Sequence, residues 1–156
     1  MTDFRHLPPA PLWRRLVAAI YDWLLIAALW FVTTGIIITL FNHYQLGLEN
    51  YHGVGKPSDS FLHWVLLPLL LLEAWIFYAW FWLHGGQTLG MRSWCLQVAD
   101  YRGRPMKLWQ TLVRFAAAFP AFFLAGAGYL LVLIKPHQSL HDRLSATETR
   151  VVPKPR

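Results

Sequence analysis

A run of apolar residues at positions 16–41 contains one charged side chain, that of Asp22. Two further runs cover residues 61–83, where Glu73 is the only acid, and residues 108–134. A helix needs about 20 apolar residues to cross a hydrocarbon core of about 30 Å. The chain has 156 residues, of which 56% are hydrophobic and only 14% are charged. This pattern indicates an integral membrane protein and excludes an ordinary soluble domain.

The carboxylate of Asp22 does not prevent the first run from entering a membrane. A central Asp raises the free energy of insertion by about 2.5–3.5 kcal/mol, while each Leu, Ile, Phe or Val lowers it by about 0.3–0.6 kcal/mol. Some twenty apolar neighbours therefore outweigh one acid. The run is also too long for the apolar part of a signal peptide, and no cleavage site of the A-x-A type follows Leu40. We expect a permanent span.

The distribution of lysine and arginine predicts the orientation of the chain. Three arginines precede the first run, Lys56 alone lies between the first two runs, and four basic residues lie between the second and the third. Basic loops stay in the cytoplasm, so the N-terminus and the second loop are expected there and residues 42–60 outside. The C-terminal tail is also basic, which conflicts with three simple crossings.

The conflict disappears if the third run enters and leaves the membrane on the same side. Residues 108–134 are too few for two crossings, but Pro120 and the small residues at 126–128 would let the segment enter the membrane and return. We predict an all-α membrane protein that forms a single domain over residues 1–156. It has two transmembrane helices and a third, kinked or re-entrant hydrophobic hairpin. Three simple spans are the alternative.

The loop between the second and third runs has strand character. Apolar Trp94, Leu96 and Val98 alternate with other residues, and positions 100–103 are typical of a turn. We predict a small cytoplasmic β-hairpin here. Residues 149–152 also resemble a strand, and they could pair with the hairpin only if the tail is cytoplasmic too.

Several classes of site are not expected. The single cysteine, Cys95, excludes an internal disulfide, and His137 and His141 have no third metal ligand nearby in sequence. We find no phosphate-binding glycine motif and no arrangement of nucleophile and base, so we expect neither a cofactor nor an enzyme. The net charge of +6 comes from basic residues that flank the apolar runs. The expected partner is anionic inner-leaflet lipid, not nucleic acid.

Five ionisable residues in or beside the apolar runs form the candidate site: Arg15, Asp22, Glu73, Arg114 and Asp142. Charges in a membrane are expensive and usually serve a function, although pairs that lock helices together are the alternative. Arg15 and Asp22 lie about 10 Å apart along one helix face, so each needs a partner elsewhere. We predict that Arg15 pairs with Asp142 and Asp22 with Arg114. Glu73 either carries a proton or forms a hydrogen bond between helices.

These residues together resemble the RDD family of small bacterial membrane proteins, which is named for one arginine and two aspartates. The resemblance covers residues 12–152 and rests on Arg15, Ala18, Asp22, Gly86, Thr88, Gly90, Arg92, Asp100, Gly103, Arg114 and Asp142. The turn that contains Gly86, Thr88, Gly90 and Arg92 departs from the family pattern at Met91, where a lysine is usual. Residues 145–147 read Ser-Ala-Thr in place of Ala-Gly-Thr. Glu73 matches no family motif.

The resemblance implies a multi-pass protein of the bacterial inner membrane with a cytoplasmic N-terminus. Some family members are described as cation/proton antiporters. Our first hypothesis is a small transporter or antiporter component in which Asp22, together with Glu73, exchanges a proton for a small cation. The alternative is a non-transporting scaffold or accessory subunit whose charges lock the helix bundle. A bundle this small is expected to form a homo-oligomer or to bind another membrane protein.

Overall fold

The computed structural model describes residues 4–46, 59–123 and 138–153. The chain divides into two compact units, one formed by Met1–Trp23 together with Trp75–Arg156, and the other by Leu24–Ala74. Helices make up most of the described residues, and two short strands form one small sheet there. The described part of the chain is therefore mostly helical, as predicted.

Helix α1 (Leu12–Leu46) runs for 35 residues without a break. Pro11 stands just before it, and its carbonyl accepts the N–H of Arg15 at 3.4 Å. At a rise of 1.5 Å per residue the helix is about 52 Å long, well beyond a hydrocarbon core of about 30 Å. Its large apolar side chains point outwards, with Phe31 82% exposed and Trp23 63% exposed. The helix is long enough to cross a membrane and to continue past it.

Helix α2 (Leu67–Leu83) is preceded by one α-helical turn, Asp59–Phe61, and a π-helical stretch, Leu62–Leu66. Pro68 has no N–H to donate to the turn before it, which accounts for the irregular hydrogen bonding at this place. The 22 residues Leu62–Leu83 are also long and apolar enough to cross a membrane. A long apolar helix is therefore present at each of the two places where a transmembrane helix was predicted.

The third apolar run, predicted at residues 108–134, begins as a helix over Leu108–Phe123, which we label α4. Two short helices of 5 residues flank it in the chain, α3 (Leu89–Ser93) and α5 (Leu140–Leu144). Helix α4 (Leu108–Phe123) is helical through position 120, so Pro120 does not end it. The turn predicted at residues 126–128 lies outside the described residues.

Strand β1 (Leu96–Asp100) pairs in antiparallel fashion with strand β2 (Thr147–Val151), so that Leu96 lies opposite Val151 and Asp100 opposite Thr147. The hairpin predicted within residues 94–107 is wrong, because β1 takes its partner from the end of the chain. A turn does follow β1, where the N–H of Gly103 donates to the backbone carbonyl of Asp100 at 2.7 Å. Pro105 then removes a donor and the chain continues into α4, so no second strand forms there.

Both edges of the sheet are covered by other parts of the first unit. On the side of β2, the N–H of Ala10 donates to the carbonyl of Thr149 at 3.1 Å. On the side of β1, the N–H of Val98 donates to the carbonyl of Gly86 at 2.8 Å. The sheet therefore joins the N-terminal segment, the turn after α2 and the C-terminal strand. A small apolar core packs against these elements and consists of Ala10, Ala18, Trp82, Met91, Leu96, Val98 and Met106.

Ala146 lies between α5 and β2 with a φ of 53°, in the left-handed region that favours glycine. We expect Ala146→Gly to raise the free energy of unfolding by about 1 kcal/mol, because the strain it removes exceeds the entropy that glycine adds to the unfolded chain. Thermal unfolding in detergent micelles measures this effect. Gly103→Ala is the converse control, since Gly103 has a φ of 74° and nothing closer than 3.5 Å to a new Cβ. A lower melting temperature for Ala146→Gly would contradict the expectation.

Candidate functional site

The carboxylate of Asp142 lies at the centre of a buried polar cluster in the first unit. Asp142 is 0% exposed and forms ion pairs with Arg15 through Oδ2 and with Arg114 through Oδ1. The backbone N–H of Ser139 donates to Oδ2 at 3.2 Å, and the hydroxyl of Thr149 donates to Oδ1 at 3.2 Å. Each carboxylate oxygen thus accepts one hydrogen bond from a cation and one from a neutral donor.

Arg15 connects three segments of the chain from the first turns of α1. Its Nε donates to the carbonyl of Ala10 at 3.0 Å, and its Nη2 donates to the carbonyl of Thr149 at 3.1 Å. Together with the ion pair to Asp142, these bonds use the fork of donors that a guanidinium presents. The predicted pair of Arg15 and Asp142 is confirmed.

Arg114 reaches the same carboxylate from α4. Its Nη1 donates to the hydroxyl of Thr147 at 2.7 Å, and its Nη2 donates to the hydroxyl of Thr149 at 3.0 Å. These two threonines are two residues apart on β2, so they lie on the same face of the strand. The guanidinium also lies 5.3 Å from the centre of the Trp82 ring, at a distance typical of a cation–π contact.

The charges around Asp142 decide its ionisation. Burial alone raises the pKa of this carboxyl, but the guanidinium groups of Arg114 and Arg15 outweigh burial and hold the pKa well below its ordinary value. Asp142 therefore stays ionised at any ordinary pH. The cluster holds two positive charges against one negative charge, and both guanidinium groups are almost completely buried, with side-chain exposures of 6% and 7%.

His141 is the neutral member of the cluster. Its Nε2 lies 2.9 Å from the hydroxyl of Ser139. Burial lowers the pKa of His141 to about 3, and the nearby Arg114 and Arg15 add to this effect while Asp142 opposes it. The imidazole is therefore uncharged at neutral pH.

This shift makes the stability of the protein sensitive to pH. His141 has an ordinary pKa of 6.5 and a folded pKa of about 3. Between these values the unfolded chain binds a proton at this residue and the folded chain does not, so stability falls as pH falls, by at most about 1.4 kcal/mol per pH unit. We expect melting temperatures measured from neutral pH down to about 4.5 to fall less steeply for His141→Gln than for the wild type. Equal slopes for the two proteins would contradict this expectation.

Asp22 accepts its hydrogen bonds from the turn that follows α2. The hydroxyl of Thr88 donates to Oδ2 at 2.5 Å, and the N–H of Gly90 donates to Oδ1 at 2.9 Å. Thr88 also caps α3, since its hydroxyl accepts the N–H of Met91 at 3.2 Å. A carboxylate at a helix N-terminus is favoured by the N–H groups that lack a helical partner. The sequence predicts that Asp22 lies near Arg114. Both line one cavity, but the ion pair of Arg114 is with Asp142, and the bonds to Asp22 described above come from Thr88 and Gly90.

Gly90 allows α3 to approach α1 closely. A Cβ at this position would lie 2.3 Å from the carbonyl oxygen of Ala18 and 2.9 Å from Oδ1 of Asp22. Ala18 is itself small and buried. The spacing of Ala18 and Asp22 along α1 therefore places both against α3. Ala18 faces Gly90, and Asp22 reaches the start of α3.

The other residues of this turn have different roles. Gly86 has a φ of 69°, and a Cβ there would lie 2.2 Å from the carbonyl oxygen of Val98, so a side chain would displace β1. Arg92 is exposed, and its backbone N–H donates to the carbonyl of Thr88 at 2.9 Å. Met91 is buried in the apolar core, so the position at which the family usually has lysine is filled here by an apolar side chain.

A cavity of about 430 Å³ adjoins both carboxylate sites. Its polar lining comes from Arg15, Asp22, Arg114, His141 and Thr149. The rest is mostly apolar or aromatic and includes Tyr78, Trp82 and Phe115. Cavities of this size and character hold small amphipathic molecules or parts of larger ones. No group of three or more His, Cys, Asp or Glu side chains among the described residues has the geometry of a metal site.

Glu73 belongs to the second unit, whereas the other four residues of the predicted set belong to the first. Its Oε1 accepts the hydroxyl of Thr33, on α1, at 2.7 Å. One further bond joins the same two helices, from the indole N–H of Trp30 to the carbonyl of Leu70 at 2.9 Å. The second carboxylate oxygen of Glu73, Oε2, is buried and accepts no hydrogen bond from any residue that the structure describes.

Several residues of the Asp142 cluster were not predicted from the sequence, namely Ser139, Thr147 and Thr149. Thr147 and Thr149 gave one usable signal, because two hydroxyl residues at strand spacing on a short, otherwise polar strand predict a polar face. Ser139 gave another, since a serine three residues before an acid is typical of a helix start. The sequence did not show that both features would meet the two arginines.

These observations define a class of protein first. Among the residues that the structure describes, two helices are long and apolar enough to cross a membrane, and large apolar side chains cover their surfaces. The chain is a membrane protein. Residues 9–146 match the model of the RDD family, so the chain belongs to that family. No curated protein and no solved structure matches the chain at a significant level.

Proposed function

We propose that this protein is a small multi-pass transporter or antiporter component of the bacterial inner membrane, in which Glu73 exchanges a proton for a small cation. Arg15, Asp22, Arg114 and Asp142 hold the cytoplasmic end of the structure together. This assignment moves the exchanging carboxylate from Asp22, which the sequence favoured, to Glu73. The observation that carries it is that Oε2 of Glu73 is buried and accepts no hydrogen bond from any residue that the structure describes.

Glu73 lies near the middle of the candidate span Leu62–Leu83. One of its oxygens is held by Thr33, and the other accepts no hydrogen bond from a described residue. A carboxyl group in this state is stabilised by a proton or by a cation, and the two compete for the same oxygen. Binding one therefore expels the other, which is the physical basis of exchange.

Asp22 is less suited to exchange because both of its oxygens are already occupied. Thr88 and Gly90 donate to them, and Gly90 does so from a backbone whose position is fixed by the contact with Ala18. A cation at Asp22 would have to displace donors that also form the start of α3. Asp142 is occupied in the same way by two arginines, Ser139 and Thr149.

The length of α1 supports a position for Asp22 at the membrane boundary. Residues 24–44 alone provide about 30 Å of helix, enough for the hydrocarbon core, so the part of α1 before residue 24 extends into the cytoplasmic interface. Many of the basic residues of the chain, including Arg92, Arg102 and Arg104, belong to the same unit as this part of α1. Their placement agrees with the positive-inside rule.

The ends of the third apolar run support a re-entrant path. The side chain of Gln110, near the start of α4, donates to the carbonyl of Ser145 at 3.2 Å, and Arg114 binds Asp142. The start of the run is thus in contact with residues that follow its end, which favours entry and exit on one side of the membrane. This topology also places the basic C-terminal tail in the cytoplasm.

A second candidate function has its own support. Every carboxylate oxygen of Asp22 and Asp142 accepts a hydrogen bond, as expected for charges that only lock helices together. Under this alternative the protein is a non-transporting scaffold or accessory subunit, and Glu73 and Thr33 form one more structural contact. Either function suits a homo-oligomer or a complex with another membrane protein, because two spans enclose little space.

The transport proposal predicts a specific loss of activity. In proteoliposomes that contain a trapped pH dye, we expect Na⁺, K⁺ or Li⁺ to drive proton movement through the wild type. Glu73→Gln has the same shape but cannot exchange a proton, so the rate should fall at least about a hundredfold, as expected for loss of an essential ionisable group. Asp22→Asn is the matched control and should retain activity per folded protein. Cation-dependent proton movement that survives in Glu73→Gln, or none from a well-folded wild type, would overturn the proposal.

A further inference from the structure

A second, smaller cavity lies outside the cluster around Asp142, between the end of β1 and the start of α4. It has a volume of about 220 Å³. Its lining contains one acid, Asp100, and three basic residues, Arg102, Arg104 and Lys107. Two exposed aromatic residues, Tyr101 and Trp109, complete it together with Gln110 and Ala146. All of these residues belong to the first unit. Neither of the functions considered above uses this cavity.

Asp100 is the unusual member of this lining. It is 8% exposed, and its Oδ1 is buried without a hydrogen bond from any residue in the described part of the chain. Its backbone N–H is used, since it donates to the carbonyl of Arg104 at 3.0 Å. A buried carboxylate oxygen that accepts nothing is expensive, so a donor from a ligand would stabilise it.

The basic residues of the cavity are chemically opposite to Asp100. Arg104 and Lys107 are exposed, and Arg102 donates from Nε to the Tyr101 hydroxyl at 2.7 Å. Arginine and lysine are the usual partners of phosphate groups. The site therefore offers positive charge for a phosphate and negative charge for an amine within one cavity.

The position of the cavity indicates the source of such a ligand. Leu108 begins the third apolar run, and Trp109 and Tyr101 are 51% and 49% exposed beside it. Tryptophan and tyrosine at the end of an apolar helix are typical of the level at which lipid headgroups lie. A lipid phosphate in the adjacent leaflet would be at the right depth to reach Arg104 and Lys107.

From these features we infer that the cavity binds the headgroup of an aminophospholipid of the phosphatidylethanolamine type. The basic residues bind the phosphodiester, and Asp100 accepts a hydrogen bond from the primary ammonium group. A glycerol headgroup can offer Asp100 only a neutral hydroxyl, whose hydrogen bond is weaker than that of an ammonium group, and a trimethylated amine has no N–H to give it. The site therefore selects ethanolamine over both glycerol and choline headgroups.

Native mass spectrometry of the full chain, released from micelles that contain phosphatidylethanolamine, phosphatidylglycerol or phosphatidylcholine, tests this inference. We expect the wild type to retain phosphatidylethanolamine about tenfold more than the other two lipids, the ratio that one charge-assisted hydrogen bond produces. Asp100→Asn should remove this preference, and the double variant Arg104→Ala/Lys107→Ala should weaken retention of all three lipids. Arg92→Ala removes an exposed charge elsewhere and should change nothing.

Two results would overturn the inference. The first is equal retention of the three lipids by the wild type, and the second is an ethanolamine preference that persists in Asp100→Asn. A competition with water-soluble phosphoethanolamine separates a lipid from a free ligand. If it displaces the lipid only at much higher concentration, the acyl chains contribute and the lipid assignment stands; equal potency would show a site for a free headgroup compound and contradict it.

Discussion

Replacing Asp142 with asparagine is expected to lower the free energy of unfolding by about 3–5 kcal/mol, because it leaves two buried guanidinium groups without a counter-charge. Arg15 and Arg114 both form ion pairs with this carboxylate, and their side chains are only 6% and 7% exposed. Asparagine keeps the size of the side chain and one acceptor oxygen, so the loss reports the charge and not the packing.

The effect of Asp142→Asn is measured as a melting temperature in detergent micelles, followed by tryptophan fluorescence. The fall should be about 6–20 °C, since 1 kcal/mol corresponds to about 2–4 °C in a chain of this size. Glu148→Gln is the matched control, because Glu148 pairs with Arg150 where both side chains are about one-fifth exposed, at 20% and 21%. Solvent screens this partly exposed pair more than the buried pairs of Asp142, so its loss should cost less. Similar losses for the two variants would contradict the central place of Asp142.

The second large effect is expected for Gly90→Ala. The new Cβ would lie 2.3 Å from the carbonyl oxygen of Ala18 and 2.9 Å from Oδ1 of Asp22. Helix α3 must then move away from α1, which also breaks the hydrogen bond from the N–H of Gly90 to Asp22. Forced contacts of this kind cost about 1–3 kcal/mol, and the lost hydrogen bond to a charged group adds about 1.5–3 kcal/mol.

Gly35→Ala provides the control for this substitution. Gly35 lies inside α1, and a Cβ there would meet nothing within 4 Å. Alanine is the better helix former by about 1 kcal/mol, so Gly35→Ala should leave the melting temperature unchanged or raise it. If Gly90→Ala proves no less stable than Gly35→Ala, the close contact between α3 and α1 does not exist in solution.

The sequence predicted the parts of this structure that depend on composition or on strong local patterns. The two long apolar helices follow from the length of uninterrupted apolar sequence that a membrane requires. The contact between Arg15 and Asp142 was predictable because a buried charge needs an opposite charge and each residue lies near the same end of its segment. A strand character at residues 149–152 was also visible, and β2 occupies Thr147–Val151.

The arrangement of partners was harder to predict, for two physical reasons. Asp142 binds two arginines through its two oxygens, whereas a one-to-one pairing of charges assigned Arg114 to Asp22. Asp22 is satisfied by neutral donors, a hydroxyl and a backbone N–H, which leave no charge pattern in the sequence. Strand β1 likewise found its partner far along the chain, and local alternation of residues does not specify a distant partner.

We propose that Arg15, the turn at Thr88 and Asp142 lie on one side of the membrane. Single-cysteine labelling tests this most directly. In a Cys95→Ser background, Ser93→Cys and Arg143→Cys place thiols at exposed positions of the first unit, and Tyr44→Cys places one at the other end of α1, where Tyr44 is 84% exposed. With a membrane-impermeant maleimide, we expect the first two to react in inverted vesicles only and the third in intact cells only. If Ser93→Cys and Arg143→Cys react from opposite sides, the ion pair between Arg15 and Asp142 cannot form and the account is wrong.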